Sequence, residues 1–310
     1  MKIGKKLRWG AIIVFVVMNL IAIVHSYKFT HFSHAHSAKT QRPDQLSFNQ
    51  KLQTLFFGVN NPRPTNDIKP LKFETVQLQS NKKVEGWYCP AEAARGTVIL
   101  FHGYGGEKSS MLDKAAIFDS LGYNTFLIDF MGSGGSEGNT TTIGFKEAEQ
   151  VKTAYNYLLS KGEKEIYLFG TSMGAVAIMK AIKDYDMQPR AIILECPFGT
   201  MYDTVAARFS NMNVPTFPMA GLLVFWGGVQ NNFWAFSHNP TTYAKHISCP
   251  TLLLFGEKDK NVSRKEIDEI YNNLAGSKKL KTYSSAGHEN YLNKYRNLWT
   301  EDVANFLKSN

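Results

Sequence analysis

The chain has 310 residues, of which 44% are hydrophobic and 20% are charged, and its formal net charge is +9. This length and composition indicate a globular protein, with room for one large α/β domain and a terminal appendage. The excess of Lys and Arg is spread along the chain without a long basic run, so a nucleic-acid partner is not expected.

The N-terminal segment has the pattern of a membrane or export signal. Basic residues lie between Lys2 and Arg8, and an apolar run follows over 11–24, interrupted only by Asn19. The run is shorter than the roughly 20 residues that span a bilayer comfortably, yet it is long for the core of a signal peptide. We interpret residues 1–26 as a signal anchor, with a cleaved signal peptide as the alternative.

The charge flanking this segment predicts its orientation. Basic residues before an apolar segment favour a cytoplasmic N-terminus. A retained anchor would then hold the rest of the chain on the periplasmic or extracellular side of a membrane, and cleavage would release it as a secreted protein.

A polar linker and lead-in segment is expected over residues 27–70. Four histidines stand close together at and just before its start, but no acidic residue or Cys lies among them, so a solvated linker is favoured over a metal site. They are His25, His31, His34 and His36.

The cysteines are Cys89, Cys196 and Cys249, and none has the spacing of a metal ligand. Cys196 would end one strand and Cys249 would precede the next, which puts them at opposite ends of a parallel sheet and too far apart for a disulfide. We therefore expect free, mostly buried thiols with a structural role and no bound metal.

Short apolar runs alternate with helical patterns over residues 71–310, which we interpret as one domain. Strands are predicted over 73–79, 84–88, 97–101, 124–129, 165–169, 190–195, 251–255 and 280–283. Helices are predicted over 114–121, 145–159, 173–185, 264–274 and 295–307. The first two strands form a hairpin, and the alternation that follows predicts a mostly parallel eight-stranded sheet with helices on both faces.

One connection is much longer than the others. About fifty residues separate strands six and seven, and this stretch is rich in Phe, Trp, Met and Pro. Connections of this length usually carry function. We expect a cap insertion over about 197–246, with some of its aromatic residues facing a substrate and others packing the cap onto the body.

A serine at a strand-to-helix turn is the strongest chemical signal. Gly170-Thr171-Ser172-Met173-Gly174 follows an apolar strand and precedes a helical pattern. Such a turn exposes the Ser hydroxyl at the edge of the sheet, and the flanking glycines leave room for the strained backbone. Ser172 is therefore the candidate nucleophile.

Three further signals stand at the carboxyl ends of predicted strands, where open α/β sheets place their sites. The Gly-rich stretch 102–106 could present the N–H of Tyr104, which with the N–H of Met173 would form an oxyanion hole. Asp259 follows the seventh strand and could orient an imidazole, with Glu195 as the competing acid. His288 follows the last strand and could take the proton of Ser172.

These motifs and their order, Ser172, Asp259 and His288, resemble the α/β-hydrolase superfamily, and the serine-esterase and prolyl-oligopeptidase-like branch most closely. The resemblance covers residues 73–307 and implies that these residues form a catalytic triad, with Tyr104 as the second oxyanion donor. Met131 departs from it, because relatives commonly have Arg after the Asp-aromatic pair that ends strand four.

The motifs and the resemblance together predict a serine hydrolase that cleaves carboxylic esters through an acyl-enzyme, with an apolar acyl or alkyl group in a small-molecule or lipid-like substrate. A peptidase, an amidase, an acyltransferase or a thioesterase of the same fold is the alternative, and so is a non-catalytic binding protein. No cofactor is implied.

Overall fold

The computed structural model describes residues 2–41 and 47–310. Met1 and residues 42–46, which belong to the expected N-terminal signal and linker, lie outside the described residues. Within the described ranges, eight strands form one sheet in the order β1-β2-β4-β3-β5-β6-β7-β8.

The strands agree closely with the predicted ones. They are β1 Glu74–Gln79, β2 Lys83–Cys89, β3 Thr97–Phe101, β4 Asn124–Ile128, β5 Ile166–Thr171, β6 Ala191–Glu195, β7 Thr251–Gly256 and β8 Lys278–Tyr283. β2 is antiparallel to both β1 and β4, and every other pair is parallel. β8 begins two residues earlier than predicted, because its lysines lie on an edge strand whose outer side faces water.

Helices cover both faces of the sheet. They are α1 Lys2–Thr30, α2 Phe48–Phe57, α3 Leu112–Ser120, α4 Glu147–Ser160, α5 Met173–Tyr185, α6 Met201–Asn211, α7 Met219–Gln230, α8 Pro240–Tyr243, α9 Arg264–Asn273, α10 Tyr291–Lys294 and α11 Arg296–Lys308. In β3, Ile99 and Phe101 pack into one hydrophobic cluster, and Val98 and Leu100 pack into the other. This division explains why β3 is apolar throughout, since both of its faces are buried.

The long connection between β6 and β7 contains α6, α7 and α8. We call residues 196–250 the β6–β7 segment. Its helix α7 is apolar and packs against α1, where Trp226 Nε1 donates to Asn19 Oδ1 at 2.9 Å and Gln230 Nε2 donates to the Ile23 carbonyl at 2.9 Å. Asn19, which interrupts the apolar run of the N-terminal segment, thus has a specific partner.

Residues 25–41 differ from the expected solvated linker. α1 continues to Thr30, and the Phe32 N–H then donates to the Asn139 carbonyl at 2.7 Å. Farther along, Arg63 Nη1 donates to the Gly134 carbonyl at 2.9 Å. These hydrogen bonds attach the lead-in segment to the loop after β4, a long-range pairing that polar composition alone does not reveal.

Candidate active site

Ser172 stands at the turn between β5 and α5 in a strained backbone conformation, with φ 51° and ψ −110°. Its N–H donates to the Glu195 carbonyl at 2.8 Å, which holds the turn against β6. A Cβ at Gly170 would overlap the backbone of Ala175, and one at Gly174 would overlap the Phe101 carbonyl. The two glycines therefore allow α5 to begin close to the sheet, with Ser172 at the sheet's carboxyl edge.

His288 connects Ser172 to Asp259. Its Nε2 lies 3.1 Å from Ser172 Oγ, and its Nδ1 lies 2.7 Å from Asp259 Oδ2. A carboxylate only accepts hydrogen bonds, so Nδ1 carries a proton and the neutral ring leaves Nε2 as the acceptor for the Ser hydroxyl. The three predicted residues are thus within hydrogen-bonding distance in the order that proton transfer from Ser172 needs.

The loop after β7 holds Asp259 in place. The Asp259 side chain is fully buried, and its other oxygen, Oδ1, accepts from the backbone N–H groups of Asn261 at 2.7 Å and Val262 at 2.9 Å. The loop that carries His288 packs against it, since the Lys258 N–H donates to the Ala286 carbonyl at 2.8 Å. Asp259 can therefore fix both the orientation and the tautomer of the imidazole.

The competing acid, Glu195, is engaged elsewhere. Its carboxylate is fully buried and accepts from Trp299 Nε1 at 2.6 Å and from Thr171 Oγ1 at 3.0 Å. Lys114 Nζ lies 3.8 Å from the same carboxylate. Glu195 therefore ties β5 and β6 to α11 and α3, and Asp259 is the acid in contact with His288.

Met173 follows Ser172 at the start of α5, and Tyr104 lines the same cavity as Ser172. In the described part of the chain, the backbone N–H of neither residue donates to a protein acceptor. Unpaired donors beside the hydroxyl are what an oxyanion hole requires. The Tyr104 side chain contacts α1 instead. Its hydroxyl donates to the Phe29 carbonyl at 2.8 Å, and its ring stacks on the Phe29 ring.

His102, at the start of the same Gly-rich loop, is fully buried. Its Nε2 accepts from the Phe130 N–H at 3.1 Å, so it joins the loops after β3 and β4. Burial lowers the pKa of this imidazole and keeps it neutral, as an acceptor requires. The loop after β4 is organised in turn by the buried Asp129 carboxylate, which accepts from the backbone N–H groups of Lys108 at 2.7 Å and Gly135 at 2.8 Å.

Cys196 lies close to the site, although the sequence indicated only a structural thiol. It is buried, and its Sγ belongs with ligand atoms of Asp259 and His288 to a group within 4.8 Å of one another. Its position directly after β6 is the signal that could have revealed it, since Ser172 also follows a parallel strand of the same sheet. Cys89, Cys196 and Cys249 are free thiols.

The neighbours of His288 change its acidity. Burial by itself lowers the pKa of the ring, but its interactions with the neighbouring Cys196 sulfur and the Asp259 carboxylate more than offset this effect. The pKa of His288 is therefore raised above its ordinary value.

Among the described residues, the side chains of Cys196, Asp259 and His288 form the group whose atoms could converge on a metal ion. The pairing of Nδ1 with Asp259, however, already uses two of those ligand atoms.

A cavity of about 330 Å³ opens over Ser172 and His288. Its walls include Tyr104 from the loop after β3 and Thr204 and Arg208 from α6. The β6–β7 segment therefore forms part of the surface that a molecule at the Ser172 hydroxyl would contact.

The chain was compared with known proteins. Residues 92–243 match the family model described as serine aminopeptidase, S33. Protein bem46 of Schizosaccharomyces pombe is 30% identical over 232 residues, which cover 71% of this chain and 72% of that protein. The mouse lysophosphatidylserine lipase ABHD12 is 24% identical over 232 residues, which cover 71% of this chain and 57% of that protein.

Among solved structures, an esterase of Pyrococcus furiosus, Pf2001, superposes with a TM-score of 0.67 at 23% sequence identity, covering 81% of this chain and 97% of the esterase. At that identity the likeness concerns the fold alone. The chain is therefore a member of the α/β-hydrolase superfamily, as the family-model match, the relative at 30% identity and the strained turn at Ser172 together show.

Proposed function

We propose that this α/β-hydrolase is a serine hydrolase that cleaves carboxylic esters. The observation that carries the proposal is the hydrogen-bonded series in which Ser172 Oγ lies 3.1 Å from His288 Nε2 and His288 Nδ1 lies 2.7 Å from Asp259 Oδ2. A serine hydroxyl is a weak nucleophile until an adjacent base removes its proton, and this arrangement supplies that base.

In the first half-reaction, Ser172 Oγ attacks the ester carbonyl while His288 Nε2 takes the hydroxyl proton. The oxyanion that forms accepts hydrogen bonds from the N–H groups of Tyr104 and Met173, each worth roughly 2.7–4 kcal/mol in the transition state. Asp259 stabilises the imidazolium. His288 then protonates the departing alkoxide oxygen, the C–O bond breaks, and an acyl group remains on Ser172.

In the second half-reaction, His288 takes a proton from water as the water oxygen attacks the acyl carbonyl. Collapse of the second tetrahedral intermediate returns the proton to Ser172 Oγ and releases the carboxylic acid. The reaction consumes one water and restores the enzyme, and no cofactor takes part.

The proposed substrate carries an apolar acyl or alkyl group. The β6–β7 segment contributes to the cavity over Ser172, and we propose that it acts as a cap over the ester. A lipid-like ester is consistent with the presence of a lysophosphatidylserine lipase among the relatives, although the chain spans 57% of that protein.

We propose that α1 is a retained membrane anchor. Residues Lys5–Thr30 form a helix long and apolar enough to cross a membrane, a property that signal sequences share. Cleavage after residue 26 would remove the hydrogen bonds that Asn19 and Ile23 make with α7. The basic residues before the apolar run favour a catalytic domain on the periplasmic or extracellular side, and protease digestion of intact vesicles tests that side.

A fluorophosphonate probe tests the enzymatic proposal. The full chain in detergent is expected to become labelled at Ser172 and to hydrolyse p-nitrophenyl acetate, whereas Ser172→Ala loses both properties. Ser210→Ala, which alters an exposed serine on α6, is the matched control. A wild-type protein that is folded but reacts with neither compound would argue for a non-catalytic binding protein.

The second candidate is a peptidase or amidase, favoured by the description of the matching family model as a serine aminopeptidase. Aminoacyl p-nitroanilides test it. A kcat/KM for an anilide that equals or exceeds the value for the matching ester would favour the peptidase or amidase over the esterase. Acyl thioesters and added alcohols, assayed in parallel, separate a thioesterase and an acyltransferase from the esterase.

A further inference from the structure

A second cavity lies between the N-terminal helix and the β6–β7 segment. Its volume is about 430 Å³, within the range of about 300–1,000 Å³ that small-molecule sites occupy. We call it the anchor cavity. Mostly apolar side chains line it, among them Phe29 of α1, Val205 and Phe209 of α6, and Leu223 and Val224 of α7.

Arg208 lines both the anchor cavity and the cavity over Ser172. Its guanidinium carbon lies 4.3 Å from the centroid of the Phe29 ring, and the other partner of that ring is Tyr104, with centroids 4.6 Å apart. A molecule long enough to fill both cavities would pass this guanidinium on its way to the Ser172 hydroxyl.

The Arg208 guanidinium has no counter-ion within the ranges 2–41 and 47–310, where it forms no ion pair with a carboxylate. Burial lowers its pKa below the ordinary value, yet an Arg side chain keeps its proton in proteins. A partly buried cation without a counter-ion attracts anions, and its planar fork matches carboxylate and phosphate oxygens. The site therefore favours a ligand that brings a negative charge.

The surface of the β6–β7 segment is suited to contact with a lipid layer, which would supply such ligands. Large apolar side chains of the β6–β7 segment are exposed there, namely Phe217, Phe225, Val229, Trp234 and Phe236. The rings of Phe225, Trp234 and Phe236 follow one another, with centroids 6.4 Å and 5.1 Å apart, and exposed aromatic residues next to an apolar helix are typical of a surface in contact with lipid.

We propose that the anchor cavity and Arg208 select esters with a single apolar chain and one anionic group near the ester, the chain lying against α1 and the anion on the guanidinium. The inference rests on the proposed esterase function and names its substrate class. α1 is then a wall of the substrate site as well as an anchor.

The charge preference is tested with three esters of the same acyl chain: a 1-acylglycerol, a 1-acylglycerol 3-phosphate and an acyl ester of glyceric acid. The wild-type protein is expected to show a higher kcat/KM for at least one anionic ester than for the neutral one. Arg208→Gln lowers this anionic-to-neutral ratio by about 10- to 100-fold, since a hydrogen bond to a charged group is lost. Arg208→Lys keeps the charge without the fork and gives an intermediate ratio.

Arg190→Gln is the matched control for these variants, because Arg190 is exposed at the opposite end of β6, where it pairs with Glu165 at 3.4 Å. A preference for the phosphate ester alone or for the carboxylate ester alone supports the proposal and identifies the anion. Equal kcat/KM values for all three esters, or a ratio that Arg208→Gln leaves unchanged, would overturn it.

The chain site is tested by filling the anchor cavity. Val205→Trp is expected to lower the ratio of long-chain to acetyl-ester turnover by about tenfold or more, because the indole occupies the volume of the chain. Ser210→Trp places the same side chain on the exposed part of α6 and serves as control. An unchanged chain-length ratio in a Val205→Trp protein that still reacts with fluorophosphonate would overturn the chain site.

Labelling and acetyl-ester turnover keep the two proposals apart. If the wild-type protein lacks both, the esterase proposal fails and the inference with it. If both are present and only the charge and chain-length preferences are missing, the inference alone fails.

Discussion

Phe29, near the end of the N-terminal helix, stacks on Tyr104 of the loop after β3, with ring centroids 4.6 Å apart and planes 7° apart. The Tyr104 hydroxyl also donates to the Phe29 carbonyl at 2.8 Å. Phe29, which follows the apolar run over 11–24, thus contacts the loop in which the Tyr104 N–H is proposed to stabilise the oxyanion.

Phe29→Ala is therefore expected to lower activity. Loss of the stack, worth about 0.5–1.5 kcal/mol, loosens the loop that presents the Tyr104 N–H, and we expect kcat for acetyl esters to fall about tenfold. Tyr27→Ala removes an aromatic ring that is 51% exposed on the same helix and is the control. If both variants lose the same activity, the stack has no particular role in catalysis.

Asp259→Asn is expected to reduce kcat by about a thousand- to ten-thousand-fold, because an amide no longer fixes the tautomer of His288 or stabilises its cation. Glu195→Gln is the comparison. It disturbs the buried contacts with Trp299 and Thr171 and is expected to lower the free energy of unfolding by about 1–3 kcal/mol, with a much smaller loss of kcat. The reverse pattern would make Glu195 the functional acid.

The dependence of activity on pH follows from His288. Base catalysis needs the neutral ring, so kcat/KM rises with pH through the pKa of His288, which is raised above the ordinary value of 6.5. The midpoint of the acid limb is expected above pH 6.5. Cys196→Ala removes one of the interactions that raise this pKa, so the midpoint moves to lower pH.

A pH–rate profile of acetyl-ester hydrolysis measures this midpoint in the wild type and in both cysteine variants. Cys89→Ala, on β2, is expected to leave it in place. A movement to higher pH in Cys196→Ala would contradict the assigned role of the thiol.

Lys108 is expected to matter for stability. Its ammonium is fully buried, pairs with the buried Asp129 carboxylate and lies 2.8 Å from Glu85. Lys108→Met leaves the Asp129 charge without its partner, which lowers the free energy of unfolding by about 3–5 kcal/mol. Denaturant unfolding measures the change.

Lys82→Met provides the matched control, because Lys82 forms an exposed ion pair with Glu137 at 3.4 Å. Such surface pairs contribute about 0–1 kcal/mol. Equal losses in the two lysine variants would show that burial of the Lys108 pair has little energetic effect.

Much of the fold was predictable because it depends on local patterns. The run that becomes β5, the glycines around Ser172 and the helical period of α5 lie within about twenty residues of one another. The order of strands and helices then assigned a carboxyl-edge position to Ser172, to Asp259 and to His288 without knowledge of the strand order.

The contacts that were missed join residues far apart in the chain. In the sequence, Asn19 only interrupts an apolar run, but in the structure it accepts a hydrogen bond from Trp226, 207 positions later. Cys196 looked like a buried thiol at a strand end, and only the strand order places its sulfur beside His288. No periodicity in the sequence records such pairings, so the sequence predicts a polar linker and lead-in segment over residues 27–70.

The hydrogen-bonded contact between α1 and α7 has a consequence for how the protein could work at a membrane. With residues 11–24 inside a bilayer, Phe29 would stand only five positions farther on, about 7.5 Å along the helix axis. Because α7 is hydrogen-bonded to α1, the hydrolase domain would then stay close to the bilayer surface. An enzyme on a flexible tether would instead search the surrounding solution. Its supply of esters would be set by diffusion within the leaflet.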